Sequence, residues 1–163
     1  MAVAEIIGSA VGVLLLVIVA YILVGGTLST AETVVTAQKD ITMLQESRLQ
    51  THVSIDTAVI SGDGTSIEFS IINDGNEPIL ELSHIDFFSY NTTDHEYHHY
   101  IYNREGTPVP ETWHVTSFED AVIHSGQLDP GVTMHGIAIL NEGDVPHNIQ
   151  ITTPNGVSAE KII

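Results

Sequence analysis

The chain has 163 residues, enough for one modest domain beside a long helix, and it has no cysteine, which excludes disulfides, thiolate metal ligands and a cysteine nucleophile. Only Lys39, Arg48, Arg104 and Lys161 oppose 21 acidic residues, for a formal net charge of −17. Such a surface repels nucleic acid and anionic lipid headgroups and favours cations or a salty exterior.

Ile6–Val24 runs without a charge. At about 1.5 Å per residue it covers roughly 28 Å, close to the ~30 Å hydrocarbon core of a bilayer. Gly8, Ser9 and Gly12 let another helix approach closely, Leu15 and Val19 continue the apolar run, and the amphipathic ring of Tyr21 suits a membrane boundary. No Lys or Arg precedes Lys39 and no A-x-A site follows, unlike a cleaved secretory signal. Glu5 stands at the edge of the run, where a carboxylate needs either a partner or the headgroup level.

Helical character continues to Gln50, with a kink expected at Gly25-Gly26. Val34, Ala37, Ile41 and Leu44 follow a 3-4-3 spacing, the seam of a stalk that packs against another copy or against its own domain. Residues 1–50 therefore read as an anchor helix with a polar stalk, roughly 73 Å long if unbroken.

At Thr51 the period changes from 3.6 to 2, and residues 51–163 read as a second unit of seven to nine short strands. The apolar pieces from which these strands are drawn are His52–Ile55 with Ala58–Ile60, Ile67–Ile71, Ile79–Leu82, Ile85–Phe88, Glu96–Asn103, Trp113–Thr116, Ala121–Ile123, Val132–Leu140, Ile149–Thr152 and Val157–Ile163. Gly62-Asp63-Gly64, Asn73–Asn76, Leu128–Gly131 and Pro154-Asn155-Gly156 supply the turns. The fold class is α+β: a long hydrophobic transmembrane helix followed by an antiparallel, immunoglobulin-like β-sandwich.

His95-Glu96-Tyr97-His98-His99 fits H-E-x-x-H in letters, with Glu119 downstream as a third ligand. That motif works only on a helix, and the tyrosines behind it favour extended chain, where His95 and His99 stand ~13 Å apart. At most, His95, His98 or His99 makes a weak surface metal contact; no metal site, cofactor or catalytic residue is assigned. Asp56, Asp63, Asp74, Asp86, Glu119 and Asp120 form no calcium loop and read as a solvated acidic face. Asn91-Thr92-Thr93 is an N-x-[ST] sequon, so Asn91 is a glycosylation candidate. Trp113 is read equally as core or as interface anchor. Exposed strand edges and the aromatic segment with Tyr97, Tyr100 and Tyr102 are the expected contact surface.

An N-terminal apolar helix, a polar helix with Ala37-Gln38 and Glu46–Thr51, the strand and turn Ile71–Gly75, the turn Leu128–Gly131 and the hairpin Asn155–Ser158 occur here in that order. The order resembles the archaeal type IV pilin superfamily, and within it the F-type and G-type archaellum stator proteins. The resemblance implies an uncleaved anchor in the cytoplasmic membrane, a sandwich in the space below the S-layer, and contact with S-layer protein, with other copies as a homo-oligomer, or with archaellum or pilus subunits. It implies a structural role without enzymatic activity, binding the motility motor to the archaeal envelope. The alternative is a filament subunit, an archaellin or adhesive pilin, in which the helices pack as the filament core and Glu5 pairs with a neighbouring subunit.

Overall fold

A computed structural model describes residues 2–119, 124 and 126–163; Asp120 and the expected strand Ala121–Ile123 lie outside the described residues. One helix, α1 (Ala2–Gln50), precedes eight strands: β1 (Val53–Ile60), β2 (Ser66–Asn73), β3 (Asp86–Asn91), β4 (Tyr97–Tyr102), β5 (Thr112–Glu119), β6 (Thr133–Ile139), β7 (Pro146–Thr152) and β8 (Ser158–Ile162). Residues group into two compact units, Met1–Leu44 and Gln45–Ile163. The first contact boundary thus falls before the end of α1, because the last turns of the helix pack with the strands.

In the first unit, helical structure passes through Gly25-Gly26 without interruption. Thr27 and Thr30 there return their hydroxyls to the Val24 and Gly26 carbonyls at 2.9 Å, which satisfies polar side chains within the helix itself. Every side chain from Val3 to Leu44 is exposed, and mean hydropathy reaches 2.8 over the most apolar window. A helix so apolar and so exposed needs an apolar medium or other helices around it.

In the second unit the strands form one continuous sheet in the order β1-β2-β6-β5-β4-β3-β7-β8. It folds over so that β1-β2-β6-β5 faces β4-β3-β7-β8. All neighbours are antiparallel except β4 and β5, which pair in parallel through Ile101–Thr112 and Tyr102–Trp113. The connector 103–111 doubles back to permit this, and Glu111, at φ +58°, turns the chain into β5. The expected strand Ile79–Leu82 is reduced to a single bridge, Ile79 with Leu128, followed by a 3₁₀ turn at Leu82–His84. Pro78 supplies no N–H just before it, and Leu82 and Ile85 turn straight into the core.

The core is aromatic at its centre. Phe69 and Phe87 meet across the two layers with ring centroids 4.8 Å apart, and Trp113 packs on both at 6.0 and 6.3 Å. Trp113 is fully buried, which settles it as a core residue. Gly136 lies directly beneath the Phe69 ring, where any side chain would intrude.

The sheet's outer strands do not offer free edges. β1 and β8 run within 8 Å of each other, Cα to Cα, with no ladder between them. An added strand needs two spacings of about 4.8 Å, so none fits in that gap. β1 carries a bulge at Asp56, which breaks the regular edge that a partner strand would use. β5 pairs with β4 only through Thr112 and Trp113, and beyond them it carries a bulge at Thr116. The expectation that partners add to strand edges is corrected at the outer strands β1 and β8.

The end of α1 is fastened to two turns of the sandwich. Arg48 Nε donates to the Asn155 carbonyl at 2.6 Å, and Asn155 Nδ2 donates to Thr51 Oγ1 at 2.6 Å and Ser47 Oγ at 3.1 Å. From the other side the Asn76 amide donates to the Gln50 carbonyl at 2.7 Å. Gly75 sits against this joint: a Cβ there would fall 2.6 Å from the Gln50 carbonyl oxygen and closer still to the His52 amide. Backbone on both sides leaves no soft neighbour to yield. Gly75→Ala is therefore predicted to destabilise the second unit by about 1–3 kcal/mol. Chemical denaturation of the full chain in detergent, followed by Trp113 fluorescence, measures this, and an unchanged midpoint refutes the tight joint.

Candidate functional site

The aromatic segment splits by strand parity. In β4, Tyr97, His99 and Ile101 point away from the core, while His98, Tyr100 and Tyr102 point toward it. Tyr97 is 60% exposed and packs at a tilt on Tyr90 of β3, with centroids 5.2 Å apart. Tyr100 is 1% exposed and donates or accepts at Ser89 Oγ over 3.1 Å; burial pushes its phenol up to about 12. It belongs to the core, which corrects its place in the contact surface. Tyr102 is half-buried, its ring 4.8 Å from Trp113. Only Tyr97 of the three is freely presented.

Asn91 is likewise a structural residue. It is 2% exposed, its Nδ2 donates to Asp144 Oδ1 at 2.9 Å, and its Oδ1 accepts from the Thr93 and Val145 amides at 3.0 Å each. A glycan cannot be attached to a side chain committed on both atoms and shut from solvent, so the sequon reading is corrected. Asn91 and Asp144 are far apart in sequence, and neither signals the other.

The same network contains His98. Its Nε2 donates to Asp94 Oδ2 at 2.7 Å, and its Nδ1 lies 3.5 Å from Asp144 Oδ2. The hydrogen bond to Asp94 raises the His98 pKa above its ordinary 6.5 against the opposing effect of burial, and Asp144 adds to the rise. Reciprocally, the bond from His98 holds Asp94 below the usual carboxylate range. When protonated, the ring ties the β3–β4 turn to the loop between β6 and β7.

The H-E-x-x-H letters do not assemble. His95 sits in the turn at φ +62°, with Nδ1 3.3 Å from the Tyr90 hydroxyl; His98 faces Asp94 and Asp144; and His99 faces outward, 3.3 Å from Asp86. Glu119 pairs instead with His135 at 3.1 Å. Among the described residues no three histidines or acids converge on one metal position. Six of the nine histidines lie beside a carboxylate: besides these three pairings, His52 meets Asp74 and His84 meets Glu81 at 2.5 Å each, and His124 meets Asp129 at 3.3 Å.

The helix positions are all presented outward. Glu5, Gly8, Gly12, Leu15, Val19 and Tyr21 lie on exposed surface of α1, and a Cβ at Gly8 or Gly12 would meet nothing within 4 Å. Val34, Ala37, Ile41 and Leu44 form one exposed stripe on the same helix.

Charge is divided unevenly between the parts. Residues 51–163 hold seventeen of the 21 acids and two of the four bases, so fifteen of the seventeen net negative charges reside there.

No protein-family model and no curated protein matches the sequence. Solved structures do match. The chain is similar to the archaellum periplasmic stator protein FlaG from Sulfolobus acidocaldarius, with 23% identity and a TM-score of 0.50 over 69% of this chain and 99% of that one. It is similar to the stator protein complex of FlaF and FlaG from the same organism, at 23% identity and a TM-score of 0.51, covering 68% and 87%. It is also similar to the archaeal flagellum of Methanospirillum hungatei strain JF1, at 14% identity and a TM-score of 0.61, covering 95% and 90%. The chain shares their fold. A match over 95% of this chain cannot omit α1, so the long helix belongs to the shared architecture.

Two predictions follow from the network at Asn91. Intact mass of the native protein is expected to show residue 91 unmodified, and Asn91→Ala to cost about 1–3 kcal/mol by leaving Asp144 and two amides without their partner. His98 carries a raised pKa, so its contribution is complete below pH 6.5 and disappears as pH rises through the folded-state value. Denaturation midpoints from pH 5.5 upward should fall more in the wild type than in His98→Gln; parallel curves would refute the charged tie.

Proposed function

We propose that this chain is a stator-type component of the archaeal motility machinery, with residues 1–50 as membrane anchor and stalk and residues 51–163 as the envelope-facing binding domain. The observation that carries this reading is the match to the FlaG stator protein. It takes in 99% of that chain and about the share of the present one that follows the helix. The FlaF and FlaG complex supports association with other archaellum subunits. The exposed apolar helix supports insertion in the cytoplasmic membrane, where its side chains find the apolar surroundings they need. Contact with S-layer protein and homo-oligomerisation through Val34, Ala37, Ile41 and Leu44 complete the proposal: torque is resisted only if the sandwich grips something fixed while the helix is held.

The structure's likeness to a flagellar filament, helix included, favours a second reading as a filament subunit. There Gly8 and Gly12 allow close helix packing, and Glu5 pairs with the amino terminus of a neighbour. The mass of the native N-terminal peptide, taken separately from sheared surface filaments and from membranes, decides between them. The stator reading expects an unprocessed N-terminus in the membrane fraction. A leader-cleaved, N-methylated terminus abundant in sheared filaments overturns it.

A further inference from the structure

The outward face of β4-β3-β7-β8 is unusual for a solvated sheet. Strand register places Tyr97, Tyr90, Asn148 and Ile162 in one row across the four strands, and His99, Phe88, Gln150 and Glu160 in the next. Phe88 stacks on His99 with centroids 4.8 Å apart, beside the Tyr90–Tyr97 pair. Ile101 and Ile162 are each 66% exposed on the same face. Solvated sheet faces normally carry polar residues at these positions.

Asn148 supplies the second observation. It is only 8% exposed, and its Nδ2 donates to the Glu160 carboxylate, which fixes the amide orientation because a carboxylate accepts only. Its Oδ1 is therefore a buried acceptor, and among the described residues no donor reaches it. A buried acceptor without a donor costs about 1–3 kcal/mol, and a partner that parts the side chains covering this oxygen would supply the missing donor.

Charge chooses among the occupants. A second copy would bring its own fifteen net negative charges, and an anionic membrane surface is repelled on the same ground. β3, β4 and β7 hold neither Lys nor Arg, and Lys161 of β8 stands opposite Ile149 on the other side of the sheet, while Asp86, Glu96 and Glu160 are present on or beside this face. An aromatic pair, a carboxylate and an adjacent unpaired acceptor match one group in particular. A guanidinium stacks on rings, forks onto carboxylates and has five donors, enough to take Glu160 and Asn148 Oδ1 together.

We propose that this face is a docking surface for an arginine-bearing segment of a partner protein, with the guanidinium seated between Tyr90, Tyr97, Asn148 and Glu160. This deepens the stator reading by stating the chemistry of what the sandwich grips. It also explains why the contact uses a face: the strand edges are closed or bulged.

The test uses the full chain in detergent at pH 7.5 and a Gly-Arg-Gly-Arg-Gly peptide, with the lysine counterpart as comparison, read by calorimetry and by NMR shifts. The arginine peptide is expected to bind more tightly than the lysine one. Tyr97→Ala and Glu160→Gln should each weaken it about tenfold, while Glu68→Gln, an equal charge change on the outward side of β2 in the opposite layer, should leave it within about twofold. Equal weakening by Glu68→Gln and Glu160→Gln would reduce the effect to general attraction and overturn the proposal, as would equal affinity for both peptides. Binding of a neutral oligosaccharide in place of the peptide, lost in Tyr97→Ala, would assign the face to sugar and overturn it too. Such failures leave the stator reading standing, because that reading rests on the location and N-terminal mass of the native chain.

Discussion

A short polar joint at Ser47–Thr51 is the constraint on which the two halves of this protein depend. The helix before it buries nothing of its own within the chain, and the sandwich after it closes around its own core. Arg48, Asn155, Gly75 and the Gln50 carbonyl fasten the last turns of α1 to the turns of the second unit. Hydrogen bonds suit such a place better than apolar packing. They are directional, and a bond that involves a charged group contributes about 1.5–3 kcal/mol, so few residues suffice to fasten the end of α1 there. Arg48 is one of only four strong bases in the chain, and its use here leaves little positive charge for the sandwich.

The parts of the fold written in local pattern were legible. The apolar run, the period change at Thr51 and the turns at Gly62–Gly64 and Asn73–Asn76 each depend on a few neighbouring residues, and each is where the residues place it. Pairings over long separations were not legible. Nothing in Ile101–Tyr102 announces that β5 will join in parallel, because that pairing is set by how the connector 103–111 folds back. Ile79–Leu82 has the composition of a strand, yet Leu82 and Ile85 are drawn into the core and leave a single bridge. The three tyrosines of β4 were grouped by proximity, whereas period-2 alternation, visible in the same letters, separates Tyr97 from Tyr100 and Tyr102. Asn91 resembled a surface acceptor because its triplet is local and its partners, Asp144 and Val145, are not.

The histidines form a second layer of meaning that composition did not reveal. Scattered singly along the sequence, they are gathered by the fold onto carboxylates. Each such pair sets an imidazole beside one of the acids that dominate the surface. His98 is the most enclosed of these, held between two acids from different loops, and it shows how a surface device becomes structural once its ring leaves solvent.

The closed and bulged strand edges have a consequence for life at high surface density. A protein confined to two dimensions by an anchor meets its own copies far more often than one free in solution. Copies held at the same height and in the same orientation would present identical edges to one another, which is the arrangement that favours fibril growth. By turning β1 and β8 toward each other and interrupting β1 and β5, this sandwich removes the template before crowding can exploit it. Contacts at these outer strands are then left to side chains, which discriminate, instead of to backbone, which does not.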